Sequence, residues 1–228
     1  MHIRRSASIL ALALTLAACA SLPPPRGVTP IGAVQGNGPT SPMLGREVTV
    51  DGIVTANFAP GLGLWALQGP PDGDAATSDA LFLSGVGGPL LIGDHVRVQG
   101  RVAELGTEKD STVTVLEVAG LTPLAPMPLP KPQSLAAVPV DASAWESLEA
   151  MLVRFPQVLT ITGTQNAARF GEWQVALEGR AWAPTEIALP GDAANTVGRQ
   201  NRARQLWLDD GDVQGNADTA MRRDIPRT

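Results

Sequence analysis

The stretch DHVRVQGRVA, Asp94 to Ala103, puts Val96, Val98, Gly100 and Val102 on one parity and His95, Arg97, Gln99 and Arg101 on the other. An apolar residue at every second position describes a strand with one dry and one wet face. A glycine in its dry row marks a place where the strand bends or another backbone comes close. The same signature occurs upstream: from Arg46, Val48, Val50, Gly52, Val54 and Ala56 alternate with polar residues, with one slip at Ile53. Leu64–Gln68, Ala80–Ser84 and Thr112–Val118 are shorter runs of the same kind, separated by Gly, Pro and Asp clusters. Five short strands, with glycines in the first and fourth, predict a small closed barrel of OB type over residues 31–125.

The prolines of PLAPMPLPKP, Pro123 to Pro132, interrupt the pattern, and residues 126–135 read as a linker. Beyond it the theme returns. EAMLVRFPQVLTITG and FGEWQVALEGR parallel LGREVTVDGIVTA and GLGLWALQG, with Trp173 answering Trp65, and QLWLDD (Gln205 to Asp210) offers a last strand. Residues 136–211 are therefore expected to form a second, related β-domain, with 212–228 as a tail. The expected class is all-β.

The N-terminus carries a different signal. Arg4 and Arg5 precede an apolar stretch, Ile9 to Leu16, too short to span a bilayer. Leu16-Ala17-Ala18 then leads into Cys19, the only cysteine in 228 residues. This pattern resembles a bacterial lipobox: residues 1–18 as signal peptide, Cys19 as the acylated new terminus, and the proline-rich 19–30 as a tether. Ala20 carries no acidic retention signal, so the outer membrane is the expected destination. The bland alternative is an ordinary signal peptide with an incidental cysteine. Removing residues 1–18 takes two of 17 basic residues and none of 22 acidic ones, leaving 15 against 22, a formal charge of about −7. Such a chain attracts no polyanion by its overall field, and a nucleic-acid contact needs a local basic face.

Catalytic inventory is thin. After residue 18 the chain has one histidine, His95, and no free thiol besides Cys19, which excludes histidine-pair, cysteine–histidine and zinc-cluster chemistry. The acidic stretch Pro70-Pro71-Asp72-Gly73-Asp74, with Thr77, Ser78 and Asp79 close behind, could supply cation ligands. It lacks the glycine and glutamate positions of a calcium loop, and Asp–Gly is turn chemistry. A hairpin turn is the reading favoured, and no metal ligand is assigned. For binding, Trp65, Phe82, Arg97 and Arg101 form one candidate set of rings and cations. Arg169, Trp173, Arg180 and Trp182 form another, and RQNRAR supplies Arg199, Arg202 and Arg204. The competing reading makes Trp65 and Phe82 core residues and the arginines solvated, and at 4% aromatic content core is favoured for the rings.

IGAVQGNGPTSPMLGREVTVDGIVTANF (31–58), LQGPPDGDAATSDALF (67–82), GDHVRVQGRV (93–102), MLVRFPQVLTITG (151–163), ARFGEW (168–173) and LWLDDG (206–211) occur in this order. Together they resemble the non-catalytic N-terminal region of ExeM/NucH-type extracellular bacterial endonucleases, from Ile31 to Gly211. The resemblance implies a partner catalytic domain of the endonuclease/exonuclease/phosphatase type. That domain would hold Mg2+ or Mn2+ on Asp, Glu and Asn, with two histidines near the scissile phosphate. Seventeen residues follow Gly211. The expectation is a module without that domain, as either a truncated gene product or a separate accessory protein, and without a cofactor of its own. Its role would be to bind or position single-stranded or duplex DNA for a separate catalytic domain. The alternative is a structural or protein-binding envelope lipoprotein. An independent enzyme requires a metal site in the acidic loops.

Overall fold

The computed structural model describes residues 27–106 and 112–211. The segment expected to be a signal peptide, Cys19, most of the expected tether and residues 212–228 lie outside these. Among the described residues no helix is long and apolar enough to cross a membrane.

The chain is mostly β-sheet. A short helix, α1 (Ile31–Gln35), leads to β1 (Glu47–Phe58), a one-turn helix α2 (Ala59–Leu62), β2 (Leu64–Gln68), β3 (Ala80–Ser84), β4 (His95–Leu105) and β5 (Val113–Pro123). The strands hydrogen-bond in the order β1-β2-β3-β5-β4, with β4 returning to β1 to close the barrel. β3 and β5 run parallel, and the other pairs are antiparallel. The predicted second and third strands match residue for residue, and the fourth and fifth are each longer than the alternation showed. Val50, Val54, Leu67, Leu81, Leu83, Val96, Val98, Val102 and Leu116 fill the interior, and Ile31 and Val34 of α1 join that core.

The two glycines read as bends are where backbone crowding demands them. A Cβ on Gly52 would lie 2.7 Å from Leu67 Cγ and 3.0 Å from Gln68 O. Here β1 passes from pairing with β4 to pairing with β2. A Cβ on Gly100 would run into the carbonyl of Glu117, at a bulge between Gln99 and Gly100 where β4 curls over β5.

The tether and the linker are shorter than expected. Thr29 already donates its amide to Thr49 O (2.7 Å), so the chain is docked on β1 before residue 30 ends the predicted tether. The end of the proline-rich segment forms β6 (Gln133–Ser134). After α3 (Ala142–Glu146), β6 pairs in parallel with β7 (Val153–Arg154).

The second half repeats part of the first. β8 (Thr160–Gly163), the one-turn helix α4 (Ala167–Phe170) and β9 (Trp173–Ala176) reproduce β1–α2–β2. Both units have a bulge near the end of the first strand, and both helices end on a left-handed glycine, Gly63 at φ 70° and Gly171 at φ 73°. Both place a tryptophan at the start of the second strand. α5 (Pro184–Ile187) and α6 (Asp192–Arg202) follow, then β10 (Gln205–Leu208), which pairs with β9 as β3 pairs with β2. The related half is thus a three-stranded meander, β10-β9-β8, with two helices inserted and no counterpart of β4 and β5 among the described residues.

Candidate functional site

The barrel is covered where the first binding set was expected. On β2, Trp65 and Leu67 face the interior, yet the outward Leu64, Ala66 and Gln68 are buried too, at 5%, 2% and 6% exposure. Gln68 Oε1 accepts the Leu152 amide (3.0 Å), and Ser78 Oγ donates to Glu149 O (2.6 Å). At the far end Gly211 sits against the ring of Phe58, which makes an edge-to-face pair with Phe82 (6.4 Å between centroids). The segment after α3 and the end of β10's chain therefore lie on the outer face of β1-β2-β3. Trp65 is core, as the favoured reading had it.

The seam carries a carboxylate cluster. Glu149 Oε1 accepts from Gln35 Nε2 (3.1 Å) and from the Thr114 amide (2.8 Å). Glu104 Oε1 accepts from the Ser41 amide (2.8 Å) and Thr114 Oγ1 (3.1 Å), while its Oε2 is enclosed without a partner. Burial pushes Glu149 up to about 7 against the two hydrogen bonds it accepts, with the negative neighbours Glu146 and Glu104 adding to the rise. Burial also raises Glu146, helped by Glu104. Glu149 joins the two halves through Gln35, Ser78 and Thr114. Among the described residues no three His, Cys, Asp or Glu side chains are arranged to hold a metal.

The acidic loop is a turn. The Asp74 amide bonds to Asp72 Oδ1 (2.8 Å), the Ala76 amide to Asp74 Oδ1 (2.9 Å) and the Asp72 amide to Asp79 Oδ1 (3.0 Å). The carboxylates hold their own loop between β2 and β3. Burial raises the Asp79 carboxyl, an effect partly offset by the Asp72 amide.

The predicted arginines do not share one site. Arg97 is paired in a fork with Asp51, its register partner on β1, at 2.7 Å through both Nε and Nη2, and that bond raises its pKa. Arg101 is exposed on β4 opposite Glu47. Arg169 lies over the Phe170 ring at 4.9 Å, and Arg180 over Trp182 at 4.2 Å. Trp173 is half-buried with its indole N–H enclosed and unpartnered, so its ring is no open platform. Arg204 is a clamp: its guanidinium donates to Leu177 O (2.6 Å), Gly179 O (2.8 Å), Arg180 O (3.2 Å) and Asn201 Oδ1 (3.2 Å). Those bonds tie the turn after β9 to α6, so the guanidinium expected to meet phosphate is occupied by the fold.

Arg199 and Arg202 remain, and the fold adds partners that the sequence did not single out. Both are exposed in the last turn of α6, a helix that the sequence pattern did not predict, and both line an open groove of about 680 Å³. Residues 138–140, Trp145 of α3 and Trp207 of β10 line it too. Trp145 and Trp207 are 42% and 48% exposed. Among the described residues no acidic side chain lines the groove, and neither arginine is ion-paired. Trp207 stood in the quoted LWLDDG, but nothing in the sequence indicated that it would meet Trp145 from sixty-two positions earlier.

No protein-family model matches the chain, and no curated protein matches it. Among solved structures it is similar to a DUF3299 family protein from Pseudomonas aeruginosa PAO1, at 15% identity over 42% of this chain and 76% of that one. The TM-score is 0.26, and at that level the likeness carries no argument about fold or function.

Proposed function

We propose that this chain is a non-catalytic nucleic-acid-binding module, built on an OB-type barrel and anchored to the bacterial outer membrane through a lipid on Cys19. It positions DNA for a nuclease catalytic domain acting as its partner, and Mg2+ or Mn2+ belongs to that domain. The barrel type is supported by the order β1-β2-β3-β5-β4 with β3 and β5 parallel, the connectivity of a five-stranded Greek-key barrel. The observation that carries the binding role is the groove lined by two arginines without an ion pair and two exposed tryptophans, with no acid among the described residues lining it, in a chain that is acidic overall. A catalytic role for His95 has little support: its Nδ1 lies 2.7 Å from Ala125 O at the end of β5's chain, and no second histidine follows residue 18.

The second reading, a structural envelope lipoprotein, has its own observation. The outer face of β2, on the side where OB barrels commonly take ligands, is covered by the chain itself. A mobility-shift assay on the mature chain separates the two. Retardation of single-stranded DNA at low salt supports the binding module. No retardation of single-stranded DNA, duplex DNA or RNA leaves the structural role.

A further inference from the structure

We propose that the groove between residues 138–140, α3, the end of α6 and β10 is a single-strand site: bases stack on Trp145 and Trp207, and Arg199 and Arg202 take the adjoining phosphates. The proposal rests on the binding-module reading and fixes where binding occurs and in what form the nucleic acid is held.

Four observations converge on it. The chain has five tryptophans and no tyrosine, and two of the three most exposed indoles open onto this groove. The third, Trp182, is already covered on one face by Arg180. Cations in the last turn of a helix are explained in part by the negative end of its dipole. That effect explains two arginines but gives no reason for two solvent-facing indoles beside them. Of the other arginines, Arg97 is engaged by Asp51, Arg204 by four oxygens, and Arg169 and Arg180 by rings, whereas Arg101 and Arg154 are exposed but do not line the groove. Arg199 makes one bond to the neutral Thr196 hydroxyl (2.9 Å), which keeps its full charge available. Finally, the lining at 138–140 is uncharged, with Val140 73% exposed, and the groove is open to solvent.

Single strands fit better than duplex on chemical grounds. In a duplex the base faces are stacked on one another and out of reach of an indole, leaving only two phosphate contacts. An acidic peptide would satisfy the arginines but supply no ring for the tryptophans.

The test uses the mature chain and a short fluorescein-labelled oligothymidylate. Wild type is expected to bind with quenching of tryptophan fluorescence. Arg199→Gln/Arg202→Gln, which keeps the helix-forming character of both positions, should reduce the log K against log salt slope by about 1.4, at about 0.7 per lost contact. Trp145→Leu/Trp207→Leu should weaken binding by about 5- to 150-fold per base without moving the slope, and should abolish the quenching. Arg199→Lys/Arg202→Lys should restore the slope, and thermal melting checks that each variant folds. Wild-type binding that persists with unchanged affinity and slope in both groove variants would overturn the site while leaving the binding module standing. Oligoglutamate competing as well as oligothymidylate would overturn the choice of occupant. If wild type binds no oligonucleotide, the module reading fails and the site with it.

Discussion

At the scale of single residues, two kinds of side chain decide the behaviour of the molecule: glycines that let backbones touch, and a carboxyl forced into a seam. Gly100 was legible in DHVRVQGRVA because a gap in a dry row means close approach. Replacing it with alanine pushes a methyl into the Glu117 carbonyl, where backbone cannot yield cheaply. Gly100→Ala should lose about 1–3 kcal/mol, read as a lower urea midpoint at unchanged m. An unchanged midpoint would mean that β4 does not curl over β5 at this point. Glu149 was not legible, because its burial comes from Gln35 and Thr114, each distant in sequence. Its folded pKa, about 7, lies above its ordinary 4.5, so its contribution is complete below pH 4.5 and lost as pH rises through 7. Glu149→Gln should therefore melt with wild type near pH 4 and above it at pH 8, by on the order of 1–3 kcal/mol. Melting curves that keep the same separation at both pH values would show that Glu149 titrates normally.

Elements were readable where alternation was strong and opaque where packing was one-sided. β2 and β3 follow from short apolar runs between turns. α6 was missed because DAANTVGRQNR has no apolar stripe, and only Ala194 and Asn201 are buried along it. Its signals were of charge and punctuation instead: Pro190-Gly191 ahead, Asp192 in the first turn, Arg199 and Arg202 in the last. That miss had a functional cost, since a helix is what brings both arginines to one side of the groove. The internal parallel was legible as far as it extends. Strand, one-turn helix, left-handed glycine and tryptophan recur, but a repeated sequence motif does not say how many strands follow it. The N-terminal segment is judged by chemistry instead: Cys19→Ser should abolish acyl labelling and membrane fractionation, and palmitate incorporation that survives the change would rule out the lipobox.

The whole molecule joins a barrel to a partial repeat of itself, with the joining segment laid over the barrel's outer face. The joining segment covers the outer face of β2, while Trp65 packs into the barrel interior and Arg97 is held by Asp51, and the candidate groove lies in the second half. With a net charge of −5 for the whole chain and about −7 for residues 19–228 alone, attraction must be local, and a Debye length of about 8 Å at 0.15 M salt screens the distant acids. The most direct test is therefore the salt dependence of single-stranded DNA binding by the intact mature chain. Two arginine contacts, with up to two more from elsewhere on the surface, predict weak binding whose log K falls with log salt at a slope of about −1.5 to −3. Absence of binding to single-stranded DNA even at low salt would contradict the module reading, and a slope near zero would show that the arginines do not meet phosphate.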